Sequence, residues 1–228
     1  MTAAHDVLSE LLRERHSVRA FKTEPVPRHL LEKMMVTAQR TGSWCNAQSW
    51  QVAFVSGDRL RRLADRLYEH ASSGAETNPD FAFPDGYPGV YRDRRRACGY
   101  ALYASIGIAR DDRKAGAAQM LENFRFFGAP HAAIITTLRD LGPYGALDCG
   151  GYVANLLAAA QALGIGAVPQ ASTASYPDLV RDEIDLPPER AVVCSVAIGW
   201  SDTSHPINSF RTDRASLDEA VDWIGEVQ

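Results

Sequence analysis

Three separated stretches of this chain hold residue types whose spacing can do chemistry. The first is Arg15-His16-Ser17-Val18-Arg19-Ala20-Phe21. Alternate side chains of an extended backbone share a face, so Arg15, Ser17 and Arg19 would point the same way. Two planar guanidinium forks and a hydroxyl on one face suit a phosphate, because each fork donates two parallel hydrogen bonds. The second is Gly42-Ser43-Trp44-Cys45-Asn46-Ala47-Gln48-Ser49-Trp50, small and amide residues between two indoles. Asn and Gln side chains carry both donors and acceptors, which suits the edge of a heterocycle. The third, Asn208-Ser209-Phe210-Arg211-Thr212-Asp213-Arg214, brings another arginine pair near the C-terminus. Taken singly, each stretch reads more readily as an ordinary surface salt bridge.

Other chemistries are disfavoured by what the chain lacks. It has no G-x-x-x-x-G-K-[ST], no G-x-S-x-G and no H-E-x-x-H. Its four cysteines, at 45, 98, 149 and 194, form no C-x-x-C, so a zinc site is not expected. Such spacing favours reduced thiols and a cytoplasmic location. The net charge of −4 argues against a general polyanion binder. The basic run Arg92-Asp93-Arg94-Arg95-Arg96 reads as a solvated helix face. Gly164-Ile165-Gly166 is half of a dinucleotide fingerprint, but it follows a helical pattern and reads as a helix C-cap.

The elements that must position these stretches are readable from periodicity. Val7, Leu8, Leu11 and Leu12 mark a helix up to Arg15, and Leu30, Leu31, Met34, Met35 and Ala38 a second one. Residues 51–56 read as a strand, and Leu60, Leu63, Ala64 and Leu67 as a helix after Asp58. From Ser72 to about Gly89 the chain is rich in Ser, Gly, Asn and Pro, with Phe81, Phe83, Tyr87 and Tyr91 interspersed. That segment is either a cover for a flat ligand or a surface loop with aromatic anchors. A helical pattern runs with a break from Arg92 to Phe127, then a strand over 132–137 and a buried helix from Asp148 to Leu163. A third segment follows Ile165, and the continuous apolar run 191–198 predicts a central strand covered on both faces. Ser216 to Glu219 has the spacing of a capping box opening a last helix. A chain of 228 residues that is 46% hydrophobic can bury a core without disulfides or metal, and interleaved helices and strands mean α/β or α+β.

In this order, the stretches resemble the nitroreductase family of FMN-dependent flavoproteins. Arg15-His16-Ser17-x-Arg19-x-Phe21 is similar to the family's R-[RH]-S-x-[RK]-x-F, and residues 42–50 to its P-S-S-x-N-x-Q-P-W. Asn123-x-x-Phe126-Phe127-Gly128-Ala129-Pro130 resembles N-x-x-F-F-G-A-P. Asp148-x-Gly150 through Pro169-Gln170 is similar to a central dimer helix and the loop after it, and the C-terminal N-x-x-R-x-x-R closes the pattern. The departures are Gly42 for Pro, Ser49 for Pro, and Ala171-Ser172 for an acidic-glycine pair of some members.

The resemblance implies an α+β, α/β-sandwich fold with a central, mostly antiparallel sheet flanked by helices. It implies one domain over 1–228 with a lid at about 72–128, in a domain-intertwined homodimer with FMN at the interface. Arg15, Ser17, Arg211 and Arg214 would hold the ribityl phosphate, and His16 would contribute mainly through its backbone. Arg19 would place a cation near flavin N1 and the C2 carbonyl, where negative charge develops on reduction. Asn46 would bond the isoalloxazine or ribityl chain, with Gly42, Ser43 and Trp44 reaching the partner's flavin and Gln48 beside them. Pro169 and Gln170 would lead to a donating N–H at Ala171, near Ser172. Tyr87, Tyr91, Asn123, Phe126 and Phe127 would line a pocket for a small aromatic substrate.

The implied activity is ping-pong reduction of nitroaromatic or quinone-like compounds by NADH or NADPH in two-electron steps, the cofactor carrying the chemistry without a catalytic side chain. The arginines at 92–96 would favour acidic substrates such as nitrobenzoates. The alternatives are a flavin oxidase or desaturase of a natural product, or a non-catalytic FMN carrier. A dehalogenating member would use a lid Glu, Tyr and Lys, and only Lys114 lies near that region. Neither nucleic acid nor membrane is an expected partner.

Overall fold

A computed structural model describes residues 2–225 of the chain. In chain order its elements are α1 (Ala3–Glu14), α2 (Arg28–Ala38), β1 (Gln51–Ser56), α3 (Gly57–Ser72), α4 (Gly89–Ala104), α5 (Arg113–Leu121) and β2 (His131–Leu138). They continue with α6 (Gly142–Ala162), β3 (Gly166–Gln170), α7 (Pro177–Ile184), β4 (Arg190–Gly199) and α8 (Leu217–Ala220). The four strands form one sheet in the order β1-β2-β4-β3, and every neighbouring pair is antiparallel.

The apolar runs at β2 and β4 exist because both are interior strands with a core on each face. Along β2, Ala133 and Ile135 enter one core with Met34 of α2 and Leu156 of α6. Ala132 and Ile134 enter the other, with Leu63 and Leu67 of α3 and Val180 of α7. Val196 and Ile198 of β4 join the first core, Val192 and Ala197 the second. Period-two side chains on a doubly covered strand give this sandwich its three layers.

Punctuation follows local chemistry. Gly164, at φ 68°, ends α6 in a left-handed turn: its N–H donates to Gln161 O at 3.0 Å, and that of Ile165 to Ala160 O at 2.9 Å. That is a Schellman cap, so Gly164-Ile165-Gly166 is a helix stop. Asp112 restarts the chain after the break at 105–112, its Oδ1 accepting the Ala115 N–H at 2.9 Å. Helix α6 begins at Gly142, six residues before the expected Asp148, because Pro143 sits in its first turn where no N–H is needed. The last helix is a single turn of four residues.

Helix α6 passes close over β2 at Gly145. A Cβ there would lie 2.7 Å from Thr137 Oγ1 and 2.8 Å from Leu141 Cβ. Gly to Ala in a helix ordinarily stabilises by about 1 kcal/mol, but overpacking costs about 1–3 kcal/mol. Gly145→Ala is therefore expected to lower stability in denaturant titrations; a raised midpoint would contradict the close approach.

The 73–88 segment carries no helix or strand, and its base is held firmly. Asn78 N–H donates to Ser175 O at 3.0 Å, and Tyr176 Oη–H to Ala75 O at 3.3 Å. Asp80, with a side chain 3% exposed, accepts from Arg181 at 2.7 Å, Arg139 at 2.8 Å and the Val192 N–H at 2.7 Å. Burial pushes its carboxyl up, and these donors outweigh burial and hold it below the ordinary carboxylate range.

Candidate functional site

The N-terminal stretch runs as extended chain beside the sheet. Val18 N–H donates to Ala167 O at 3.2 Å, Lys22 N–H to Trp200 O at 2.8 Å, and Asp202 N–H to Ala20 O at 3.0 Å. Val18 turns inward against Gly166, where any Cβ would meet its methyls at 3.1 Å. Alternation then sends Arg15, Ser17 and Arg19 to the opposite side, into a cavity of about 690 Å³.

The C-terminal stretch is drawn to the same cavity by Asn208. Its buried amide accepts the Arg19 N–H at 2.8 Å and donates to Ala20 O and Asp202 O, both at 2.8 Å. One side chain thus joins segments far apart in sequence and delivers Arg211 and Arg214 to the cavity wall. Arg211 donates to the Asn208 and Phe210 carbonyls at 2.8 and 3.0 Å, and Arg214 to Thr212 Oγ1 at 2.8 Å and Asp213 O at 2.9 Å.

The electrostatics are one-sided. Arg13, Arg15, Arg19, Arg211 and Arg214 line the cavity with one carboxylate, Glu14, which lies 3.6 Å from Arg13. Among the described residues, Arg15, Arg19, Arg211 and Arg214 have no ion-pair partner. Burial and then the like charge of Arg214 pull the Arg15 pKa down; burial does the same to Arg19. His16 is lowered chiefly by burial, with Arg211 and Arg15 adding to it, while its Nδ1 lies 3.1 Å from Glu14 O. Cations gathered without counter-charge repel one another, so the arrangement fits an anionic ligand.

Residues 42–50 do not reach this cavity within the one chain. They form a turn against α6, where Trp44 N–H donates to Asp148 Oδ1 at 3.3 Å and Ser49 Oγ–H to Asp148 Oδ2 at 3.0 Å. Ser43 Oγ accepts the Gln48 N–H at 2.9 Å. Cys45, Asn46 and Gln48 have φ of 52°, 55° and 50°, left-handed backbone at three non-glycine positions. Each costs on the order of 1–3 kcal/mol and persists only where surroundings impose it. Trp44 is 64% exposed and its ring lies 4.8 Å from that of Tyr144. Gly42 precedes the turn, and Trp50 belongs to the core, its Nε1–H donating to Gln39 Oε1 at 2.7 Å.

The remaining residues divide. Pro169 and Gln170 close β3, and Ala171 and Ser172 open the 3-10 turn after it. Gln170 Nε2 donates to Asn123 O at 2.7 Å, which joins the Asn123 stretch to this turn, and Asn123 Nδ2 donates to Met120 O at 2.9 Å. Gln170 Oε1 and Ser172 Oγ are buried without a hydrogen-bond partner, an expense that a bound polar group would relieve. Tyr87 and Tyr91 are exposed before and on α4. Phe126 and Phe127 are 0% and 8% exposed and pack within the second core. Of the basic run, Arg94 donates to Glu219 at 2.8 Å, Arg92 lies 3.5 Å from Asp93 and Arg95 lies 5.5 Å over Tyr87, all on the exposed side of α4. Cys98, Phe210 and Thr212 also line the arginine cavity. Cys98 lies in a helix with no distinguishing local signal, whereas Asn208 stood at the head of the C-terminal motif.

An antiparallel four-stranded sandwich with an arginine cavity at the meeting of its N- and C-terminal stretches is the arrangement of one class of protein. The model of the nitroreductase family matches residues 12–200, and the chain belongs to that family. Nitroreductase NfnB of Mycolicibacterium smegmatis is 34% identical over 212 residues, 92% of this chain and 90% of that protein. The 4-nitrobenzoate reductase of a Nocardioides species is 29% identical over 225 residues, 97% and 91% of the two chains. The crystal structure of FMN-dependent NfnB from Mycobacterium smegmatis in complex with NADPH superposes with a TM-score of 0.92 at 32% identity, covering 97% of this chain and all of that one. Among the described residues, no helix is long and apolar enough to cross a membrane.

Proposed function

We propose that the chain is an FMN-dependent NAD(P)H oxidoreductase that reduces nitroaromatic compounds. The observation that carries this reading is the cavity where Arg15, Arg19, Arg211 and Arg214 gather without ion-pair partners, in a chain 34% identical to nitroreductase NfnB. FMN fits the residues present: its phosphate takes the guanidinium donors of Arg15, Arg211 and Arg214 and the Ser17 hydroxyl, with His16 beside them. When bound, FMN would supply two-electron hydride chemistry between NADH or NADPH and the substrate. Arg19 would hold positive charge beside its ring. Pro169, Gln170, Ala171 and Ser172 would contact it from the end of β3, where Gln170 Oε1 and Ser172 Oγ are buried without a partner. Tyr87, Tyr91 and Asn123 would face the substrate.

The functional unit in this reading is a homodimer. Tyr144 and Leu147 are 60% and 66% exposed, and with Gly151 and Ala154 they make an apolar and small stripe along the outer face of α6. Large apolar side chains left exposed beside small residues on a helix otherwise packed in the core suit a partner surface. A second copy on that stripe would bring Gly42, Ser43, Trp44, Asn46 and Gln48 to the partner's cofactor, which explains why one chain leaves them apart from its own arginine cavity. The lid is the 72–128 excursion of a single 1–228 domain, and the protein works in the cytoplasm.

Initial-rate kinetics with NADPH and 4-nitrobenzoate test the reading, with parallel double-reciprocal lines expected for a ping-pong exchange. Intersecting lines would contradict it. With Arg92–Arg96 on the lid helix, kcat/KM is expected to be several-fold higher for 4-nitrobenzoate than for an uncharged nitroarene, and to converge as salt screens the exposed charges. Equal values at low salt would remove charge from the specificity.

A further inference from the structure

We infer that Asp148 is a positioning residue that holds the 44–49 turn in its cofactor-binding shape; this rests on the reading of Asn46 as a flavin contact. One carboxylate brackets the turn at both ends: Oδ1 accepts the Trp44 N–H at 3.3 Å and Oδ2 the Ser49 Oγ–H at 3.0 Å. Between these points lie the three left-handed residues Cys45, Asn46 and Gln48. A turn with that backbone is not its own lowest-energy form, so something outside it must impose the shape. Within the turn there are only short bonds: Asn46 N–H to Ser43 O at 3.1 Å, Ala47 N–H to Trp44 O at 3.0 Å and Gln48 N–H to Ser43 Oγ at 2.9 Å. The side-chain anchor on helix α6 is Asp148, assisted by the tilted contact of Trp44 with Tyr144 one helical turn earlier and by the longer approach of Ser49 Oγ–H to Gly145 O at 3.4 Å. A carboxylate suits this task because both oxygens accept and neither donates, so it cannot pair with the turn's carbonyls in another register. Asp148 does not line the arginine cavity, so it acts through Asn46 and its neighbours.

Two readouts test this on the purified holoprotein. Hydrogen exchange over residues 43–50 is expected to quicken in Asp148→Ala more than anywhere else in the chain. Dialysis against graded FMN is expected to give a Kd raised about 10- to 100-fold in Asp148→Ala, because only part of the cost of losing two hydrogen bonds to a charged group is passed on to the cofactor site. Asp148→Asn, which keeps one acceptor, should recover most of that affinity, and Ser49→Ala, which removes the bond to Asp148 and the 3.4 Å contact with Gly145 O, should cost a few-fold. An Asp148→Ala protein with unchanged exchange over 43–50 and unchanged Kd would overturn the inference, as would an Asp148→Asn protein no better than Asp148→Ala. If Asp148→Ala fails to fold, Ser49→Ala decides on the same two readouts. Failure of the unaltered protein to hold FMN would instead overturn the flavin reading.

Discussion

Replacing Arg15 and Arg214 together by alanine is expected to weaken FMN retention by about a thousandfold while leaving the fold intact. Each guanidinium offers charge-assisted hydrogen bonds to a phosphate, worth about 1.5–3 kcal/mol apiece, so two losses amount to about 3–6 kcal/mol. The two arginines line one cavity, and the like charge of Arg214 adds to burial in lowering the Arg15 pKa. Their repulsion opposes folding when no anion is bound. The double variant stripped of ligand should therefore be at least as stable as the unaltered protein, whereas the unaltered protein alone should gain stability from added FMN. Thermal unfolding with and without FMN reads both effects. A double variant that still gains stability from FMN as the unaltered protein does would place the phosphate elsewhere.

Asp80→Ala is expected to give the largest loss of stability of any single substitution outside the apolar core. The carboxylate is nearly fully buried and bonded to Arg181, Arg139 and the Val192 N–H, tying the 73–88 segment to α7 and β4. Removing one member of a buried ion pair costs about 3–5 kcal/mol where the other charge is left alone; Arg181 keeps Asp178 at 2.7 Å and Arg139 is half exposed, so the loss falls at the lower end of that range. For a domain of this size, that lowers Tm by about 10 °C. The pH dependence has a definite sign. Asp80's folded pKa lies below its ordinary value, so its contribution is fully present above the usual carboxylate range and is lost as pH falls through the depressed value. The stability difference between Asp80→Ala and the unaltered protein should thus shrink on acidification. A difference independent of pH would mean that Asp80 acts through packing and not through its charge.

How much of this was legible in the sequence depends on whether the cause is local. The strands at 51–56 and 191–198 were readable because period-two and continuous apolar patterns report burial directly. The stop at Gly164 is local chemistry of the same kind. The shared face of Arg15, Ser17 and Arg19 needed only extended backbone, and Val18 packing against Gly166 supplies it. Asp80 carried no such signal: its partners Arg181 and Val192 lie 101 and 112 residues away. The Asp148–Trp44 contact, across 104 residues, and the Asn208–Arg19 contact, across 189, are equally invisible to periodicity. Phe126 and Phe127 show a different limit, since an aromatic side chain serves a ligand pocket and a core equally well. Left-handed backbone at both positions turns them into the second core, and composition does not encode that turn.

The most direct measurement is the visible spectrum of the purified protein through an anaerobic addition of NADPH and then 4-nitrobenzoate. Bound oxidised flavin that bleaches with the nucleotide and returns with the nitroarene is the predicted result, and repeating the addition with NADH sets the nucleotide preference. Protein that holds no flavin even after FMN is supplied, or bound flavin that neither nucleotide bleaches, would contradict the central claim.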